Sequence, residues 1–112
     1  MSITIYHNPR CSKSRQTLAL LEGKGIIPVV IKYLETPPSA KELTSILAKM
    51  GKDPKDVLRL KEAREEGIDL SRDGDQLIKA IIAHPRVLER PIVVNGDKAA
   101  IGRPPEFVLN IL

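Results

Sequence analysis

The chain of 112 residues holds one cysteine, Cys11, within His7-Asn8-Pro9-Arg10-Cys11-Ser12-Lys13-Ser14-Arg15. A lone cysteine is by default a small buried apolar residue. Here its neighbours argue for chemistry. Arg10, Lys13 and Arg15 bracket the thiol, and no acid occurs between His7 and Thr17. Cys11 also stands where a strand hands over to a helix, so first-turn N–H groups and the positive end of the helix dipole face its sulfur. Amides and cations so arranged depress a thiol pKa from about 8.5 into the reactive range. The same arrangement binds an oxyanion. One position thus favours both a thiolate and an anionic substrate.

Spacing narrows the chemistry. The fourth position of Cys11-Ser12-Lys13-Ser14 is serine, so a CxxC dithiol cycle within the chain is impossible and a second thiol must come from outside. A phosphatase-type loop needs Arg six residues after the cysteine, and Thr17 stands there. A single cysteine likewise excludes an intrachain disulfide and a Cys-rich metal site. His7, four residues before Cys11, can serve as a base or an orienting group.

The elements that position this loop follow from patterning. Ile3-Thr4-Ile5-Tyr6 reads as a first strand, and Asn8-Pro9 as a turn. A helix spans about 12–22, with Leu18 and Leu21 inward and Gly23 and Gly25 as stops. Residues 28–34 form a second strand whose unbroken apolar run suggests burial on both faces, as in parallel sheets. Beyond Pro37-Pro38, Ser39-Ala40-Lys41-Glu42 matches a capping box before Leu43, Ile46, Leu47 and Met50. Asp53-Pro54 opens a short helix, 61–72 is a charged loop with helical stretches, and 75–83 is a helix on Leu77, Ile78, Ile81 and Ile82. Two strands flanking Asn95-Gly96-Asp97 make a hairpin, and a helix from Glu106 to Leu112 follows. The order βαβ, helical block, ββα is an α/β, thioredoxin-like plan with a four-stranded mixed sheet. One domain, 1–112, carries a helical insertion at about 37–88, and the first crossover is expected to be right-handed.

Composition removes other classes. Apolar residues make up 42% and charged residues 29%, as in a soluble globular domain. No apolar run approaches a membrane span, no secretory signal is visible at the N-terminus, and the lone cysteine points to the reducing cytoplasm. At 3% aromatic residues, a stacking platform for nucleic acid is not expected. The net charge of +4 is local: residues 1–60 carry ten basic and five acidic side chains, residues 61–112 eight and nine.

The loop His7–Arg15 resembles the active-site loop of glutaredoxin-coupled arsenate reductases. The likeness continues through Tyr33-Leu34-Glu35-Thr36-Pro37-Pro38, Leu58-Arg59, His84-Pro85, Glu89-Arg90-Pro91-Ile92-Val93-Val94 and Gly102-Arg103-Pro104-Pro105-Glu106. It spans essentially the whole chain, and ending at Leu112 with Arg10 and Lys13 in the loop resembles a short branch of that family. The resemblance implies a role for each matching residue. Cys11 is the nucleophile, and His7, Ser14 and Arg15 lower its pKa. Arg59, Arg90 and Arg103 bind the oxyanion, and Pro91 is the structural cis-proline. It also implies arsenate as substrate, glutathione as co-substrate, glutaredoxin as partner, no bound cofactor or metal, and a monomer. Two other readings stay open: a glutathione-dependent thiol–disulfide oxidoreductase, and a regulator that binds RNA polymerase. Regulators of this fold characteristically carry a CxxC switch, which Ser14 interrupts.

Overall fold

The computed structural model describes residues 2–112, with the elements in the expected order. Strand β1 (Ile3–His7) leads into helix α1 (Ser12–Gly23) and strand β2 (Val29–Lys32). Then come α2 (Ala40–Met50), a 3-10 turn (Pro54–Val57), α3 (Leu60–Glu65), α4 (Gly74–Ala83) and a second 3-10 turn (Pro85–Val87). Strands β3 (Ile92–Asn95) and β4 (Lys98–Ile101) and a 3-10 helix (Pro105–Ile111) come last. The sheet order is β2-β1-β3-β4, with β1 parallel to β2, antiparallel to β3, and β3 antiparallel to β4. This is the four-stranded mixed sheet of a thioredoxin-like α/β fold.

The chain forms two compact units, one of residues up to Thr36 together with Arg90–Leu112, the other of Pro37–Glu89. In the first, Ile5, Leu21, Val93 and Val108 are fully buried, with Ile3, Leu18, Leu20, Ile26 and Ile111 packed around them. The C-terminal 3-10 helix lies against β4 and α1, and Asn95 Nδ2 donates to the Ile111 carbonyl at 2.7 Å. Burying that cluster fixes which face of the sheet α1 covers, and hence where the N-terminus of α1 points.

One expectation is corrected. The apolar run at 28–34 suggests a strand buried on both faces, but β2 is the sheet edge, and Val29 and Val30 are 53% and 42% exposed. β-branched residues suit a pleated strand whether or not it is deep, so composition reported the strand and not its depth. The last helix is likewise 3-10 rather than α, and its Phe107 is exposed.

In the second unit the capping box forms, with Ser39 N–H donating to Glu42 Oε1 at 3.0 Å and Glu42 N–H to Ser39 Oγ at 3.1 Å. Gly51 closes α2 at φ 65°, a left-handed position that suits glycine. Leu43, Ile46 and Leu47 of α2 and Leu77, Ile78 and Ile81 of α4 are buried as these helices pack together. Arg59 N–H donates to the Val87 carbonyl at 2.8 Å and Glu89 N–H to that of Val57 at 2.7 Å. This short antiparallel ladder brings Arg59 and Glu89 together.

Candidate active site

Cys11 is the N-cap residue of α1, in extended conformation at φ −92° and ψ 123°. No acid lies in the first helical turn. The helix therefore presents its unneutralised positive end to the sulfur. The N–H groups of Ser14 and Lys13 lie close enough to the sulfur to stabilise its anion. Partial burial pushes the thiol pKa up. The Ser14 N–H, the Arg90 side chain, the Lys13 N–H and the charge of Arg103 outweigh it, so the thiol sits below its ordinary value. Arg103 Nη2 lies 3.4 Å from Cys11 Sγ. Alkylation of Cys11 by iodoacetamide is accordingly expected to show a pH midpoint below the roughly 8.5 of a free thiol. A midpoint at or above the free value would contradict this electrostatic picture.

The loop before Cys11 is tied down by its own side chains. Cys11 N–H donates to the Asn8 carbonyl at 3.0 Å, Arg10 N–H to Asn8 Oδ1 at 3.0 Å, and Asn8 N–H to Ser14 Oγ at 3.0 Å. Ser14 Oγ also meets His7 Nδ1 at 2.6 Å. His7, Asn8 and Ser14 are all buried, so the loop is held by satisfied polar groups rather than left to solvent. Desolvation, then the charges of Lys32 and Arg15, hold the His7 pKa below its ordinary value. At neutral pH the ring is neutral and can accept the Ser14 hydroxyl proton at Nδ1. Arg15 Nη1 donates to the Pro9 carbonyl at 3.0 Å, clamping the turn from outside.

Arg103 is positioned from the other end of the chain. Arg103 Nε donates to the Arg90 carbonyl at 2.7 Å and Gly102 N–H to that of Pro91 at 2.9 Å. The Arg90–Pro91 and Arg103–Pro104 peptide bonds are both cis. A Cβ at Gly102 would fall 2.5 Å from Thr17 Oγ1, 3.1 Å from Thr17 Cγ2 and 3.0 Å from Pro91 Cγ. Only glycine lets this strand end approach α1 so closely. Gly102→Ala is expected to destabilise the fold by about 1–3 kcal/mol, the usual cost of overpacking. It should also raise the Cys11 pKa by displacing Arg103. Thr17→Ala, which removes two of the three clashing atoms, should recover part of both effects in a double-mutant cycle read by denaturation and thiolate absorbance.

The structure thus brings Cys11, His7, Ser14, Arg15, Arg90, Arg103 and Pro91 together in one unit. Arg59 belongs to the other unit, where its guanidinium is paired with Glu62 and, at 3.0 Å, with Glu89. Sequence reasoning missed two contributors. Asn8 had a signal, since Asn before a turn commonly accepts a backbone N–H two residues on. Gly102 had none, because its role depends on Thr17, 85 residues away in the sequence. Among the described residues no group of three or more His, Cys, Asp or Glu side chains is placed to hold a metal ion. Among them, too, no helix is long and apolar enough to cross a membrane.

Comparison with known proteins points the same way as this geometry. A model described as the ArsC family matches residues 6–111. An arsenate reductase of Haemophilus influenzae is 52% identical over the full length of both chains. An arsenate reductase of Escherichia coli is 46% identical over 99% of this chain and 81% of its own. The solved structure of arsenate reductase from Vibrio cholerae superposes with a TM-score of 0.90 at 50% identity, covering 100% of this chain and 98% of that one.

Proposed function

This chain belongs to the ArsC family, and from that premise we propose that it reduces arsenate to arsenite, with Cys11 as nucleophile and glutathione as the reducing thiol. The observation that carries the reading is the meeting of the helix N-terminus, Arg90 and Arg103 at one sulfur. Those groups favour the thiolate, and a tetrahedral oxyanion needs the same groups. A guanidinium offers a planar fork of donors and keeps its charge.

In the first step the Cys11 thiolate attacks arsenic(V). A sulfur–arsenic bond forms, and one arsenate oxygen takes protons and leaves as water. In the second, a glutathione thiolate attacks Cys11 Sγ. A disulfide forms between the two sulfurs, and the electron pair of the sulfur–arsenic bond stays on arsenic, which leaves as arsenite. Two thiols are oxidised together by two electrons, and arsenic gains the same two. Glutaredoxin then takes the glutathionyl group and restores the Cys11 thiol.

His7, Ser14 and Arg15 keep the loop in the shape that exposes the thiolate to the helix end. On this reading Arg90 and Arg103 neutralise the oxyanion, and Arg59 is proposed to share that task. Pro91 serves as a structural residue at the start of β3. The protein works on this reading as a monomer in the reducing cytoplasm, with no bound cofactor or metal. The test is arsenate-dependent NADPH oxidation coupled through glutathione reductase, glutathione and glutaredoxin. Turnover that requires arsenate, glutathione, glutaredoxin and this protein supports the reading. Absence of arsenate-dependent turnover by the reduced protein refutes it.

A further inference from the structure

Beside the Cys11 loop lies a solvent-open depression of about 270 Å3. Its walls come from the carboxyl ends of the two parallel strands, His7 on one side and Lys32, Leu34 and Glu35 on the other, with Arg10 contributed by the loop. Crevices at the carboxyl ends of parallel strands are where open α/β sheets bind ligands. Neither Arg90 nor Arg103 lines it. β3, which begins just after Arg90-Pro91, pairs with β1 on the edge opposite β2. The depression and the two arginines therefore flank β1 from opposite sides.

The charges of the depression form a specific set: two cations, Arg10 and Lys32, and one carboxylate, Glu35. Glutathione carries the complement, two carboxylates and one ammonium. We propose that this depression is the glutathione subsite, with Arg10 and Lys32 receiving the tripeptide's carboxylates, Glu35 its ammonium, and the half-exposed Leu34 its methylene groups. The inference rests on the reductase reading, which supplies the need for the thiol.

The reaction favours this side of the strand. In a displacement at sulfur the attacking and departing atoms lie on opposite sides of Sγ. Arsenic departs from the side held by Arg90 and Arg103, so the glutathione sulfur approaches from the side of Arg10 and the β1–β2 crevice. The sulfur–sulfur bond forms as the sulfur–arsenic bond breaks, arsenic keeps the electron pair, and the glutathione thiol proton passes to solvent.

Two measurements on the full chain test the subsite. In the coupled assay, Lys32→Glu and Arg10→Glu should each raise the KM for glutathione about tenfold, the loss expected from one charge-assisted contact, and in Lys32→Glu the KM for arsenate should move far less. Glu35→Gln should raise the same KM more modestly. Independently, S-methylglutathione titrated into isotopically labelled Cys11→Ser protein should shift the amide resonances of His7, Asn8, Arg10 and residues 32–35. An unchanged glutathione KM in both charge reversals, or perturbations confined to residues 90–103, or no saturable perturbation at millimolar ligand, overturns the subsite. If the wild type shows no arsenate turnover, the reductase reading falls, and the titration alone still decides whether the depression binds this tripeptide.

Discussion

Replacing Cys11 with serine is expected to abolish arsenate-dependent NADPH oxidation in the coupled assay, a loss on the order of 10^3-fold or more. The chain has no other thiol to substitute for it. Serine keeps the N-cap position and is a better cap than cysteine, so the fold should survive and circular dichroism should confirm it. The hydroxyl cannot ionise near neutral pH, and nothing else in the loop can form a bond to arsenic that an incoming thiol can break. Residual turnover above a few per cent of wild type would mean that glutathione reduces arsenate without a covalent enzyme intermediate.

Replacing Arg103 with alanine should be the next most damaging change. Its Nη2 is 3.4 Å from Cys11 Sγ, and its positive charge lowers the thiol pKa alongside Ser14, Arg90 and Lys13. On the proposed reading, removing it withdraws one preorganised cation from both the thiolate and the developing oxyanion, which typically costs about 10^2-fold or more in kcat/KM. The Cys11 pKa should rise at the same time, read by thiolate absorbance. Arg103→Lys should restore part of the pKa shift and less of the activity, since lysine returns the charge but not the fork that also binds the Arg90 carbonyl. The sign carries over to stability. A thiol whose folded pKa lies below the ordinary value contributes stability above that value, and the contribution fades as pH falls through the folded pKa. Arg103→Ala should shrink the alkaline end of that dependence. An alanine variant with unaltered pKa and activity would remove Arg103 from the site.

Much of this was legible in the chain itself, for identifiable reasons. The sole thiol, the run of cations around it and the strand-to-helix handover are local features, and local features survive in one dimension. The capping box at Ser39 and Glu42 and the left-handed stop at Gly51 are equally local, and both appear as their residue types dictate. Depth was not legible. Val29, Val30 and Ile31 have the composition of a central strand, but whether a strand has one neighbour or two depends on where β3 returns, after a 53-residue second unit. The pairing of Arg59 with Glu62 and Glu89 was also hidden, because Glu89 reaches it only through the ladder between 57–59 and 87–89. Gly102 was the least visible. Its necessity exists only in the contact with Thr17, and no pattern in Ile101-Gly102-Arg103-Pro104 announces it.

The arginines and the helix end lower the thiol pKa of Cys11, and on the proposed reading the reducing thiol comes from outside a chain that holds one cysteine. Both meet in a single-turnover experiment. Reduced protein, arsenate and glutathione are mixed without glutaredoxin, and the products are read by intact-protein mass spectrometry and arsenite release. The expected result is one glutathionyl group on Cys11 and one arsenite per protein, both dependent on arsenate. No arsenite, or a glutathionyl adduct that forms equally well without arsenate, would contradict covalent arsenate reduction at Cys11.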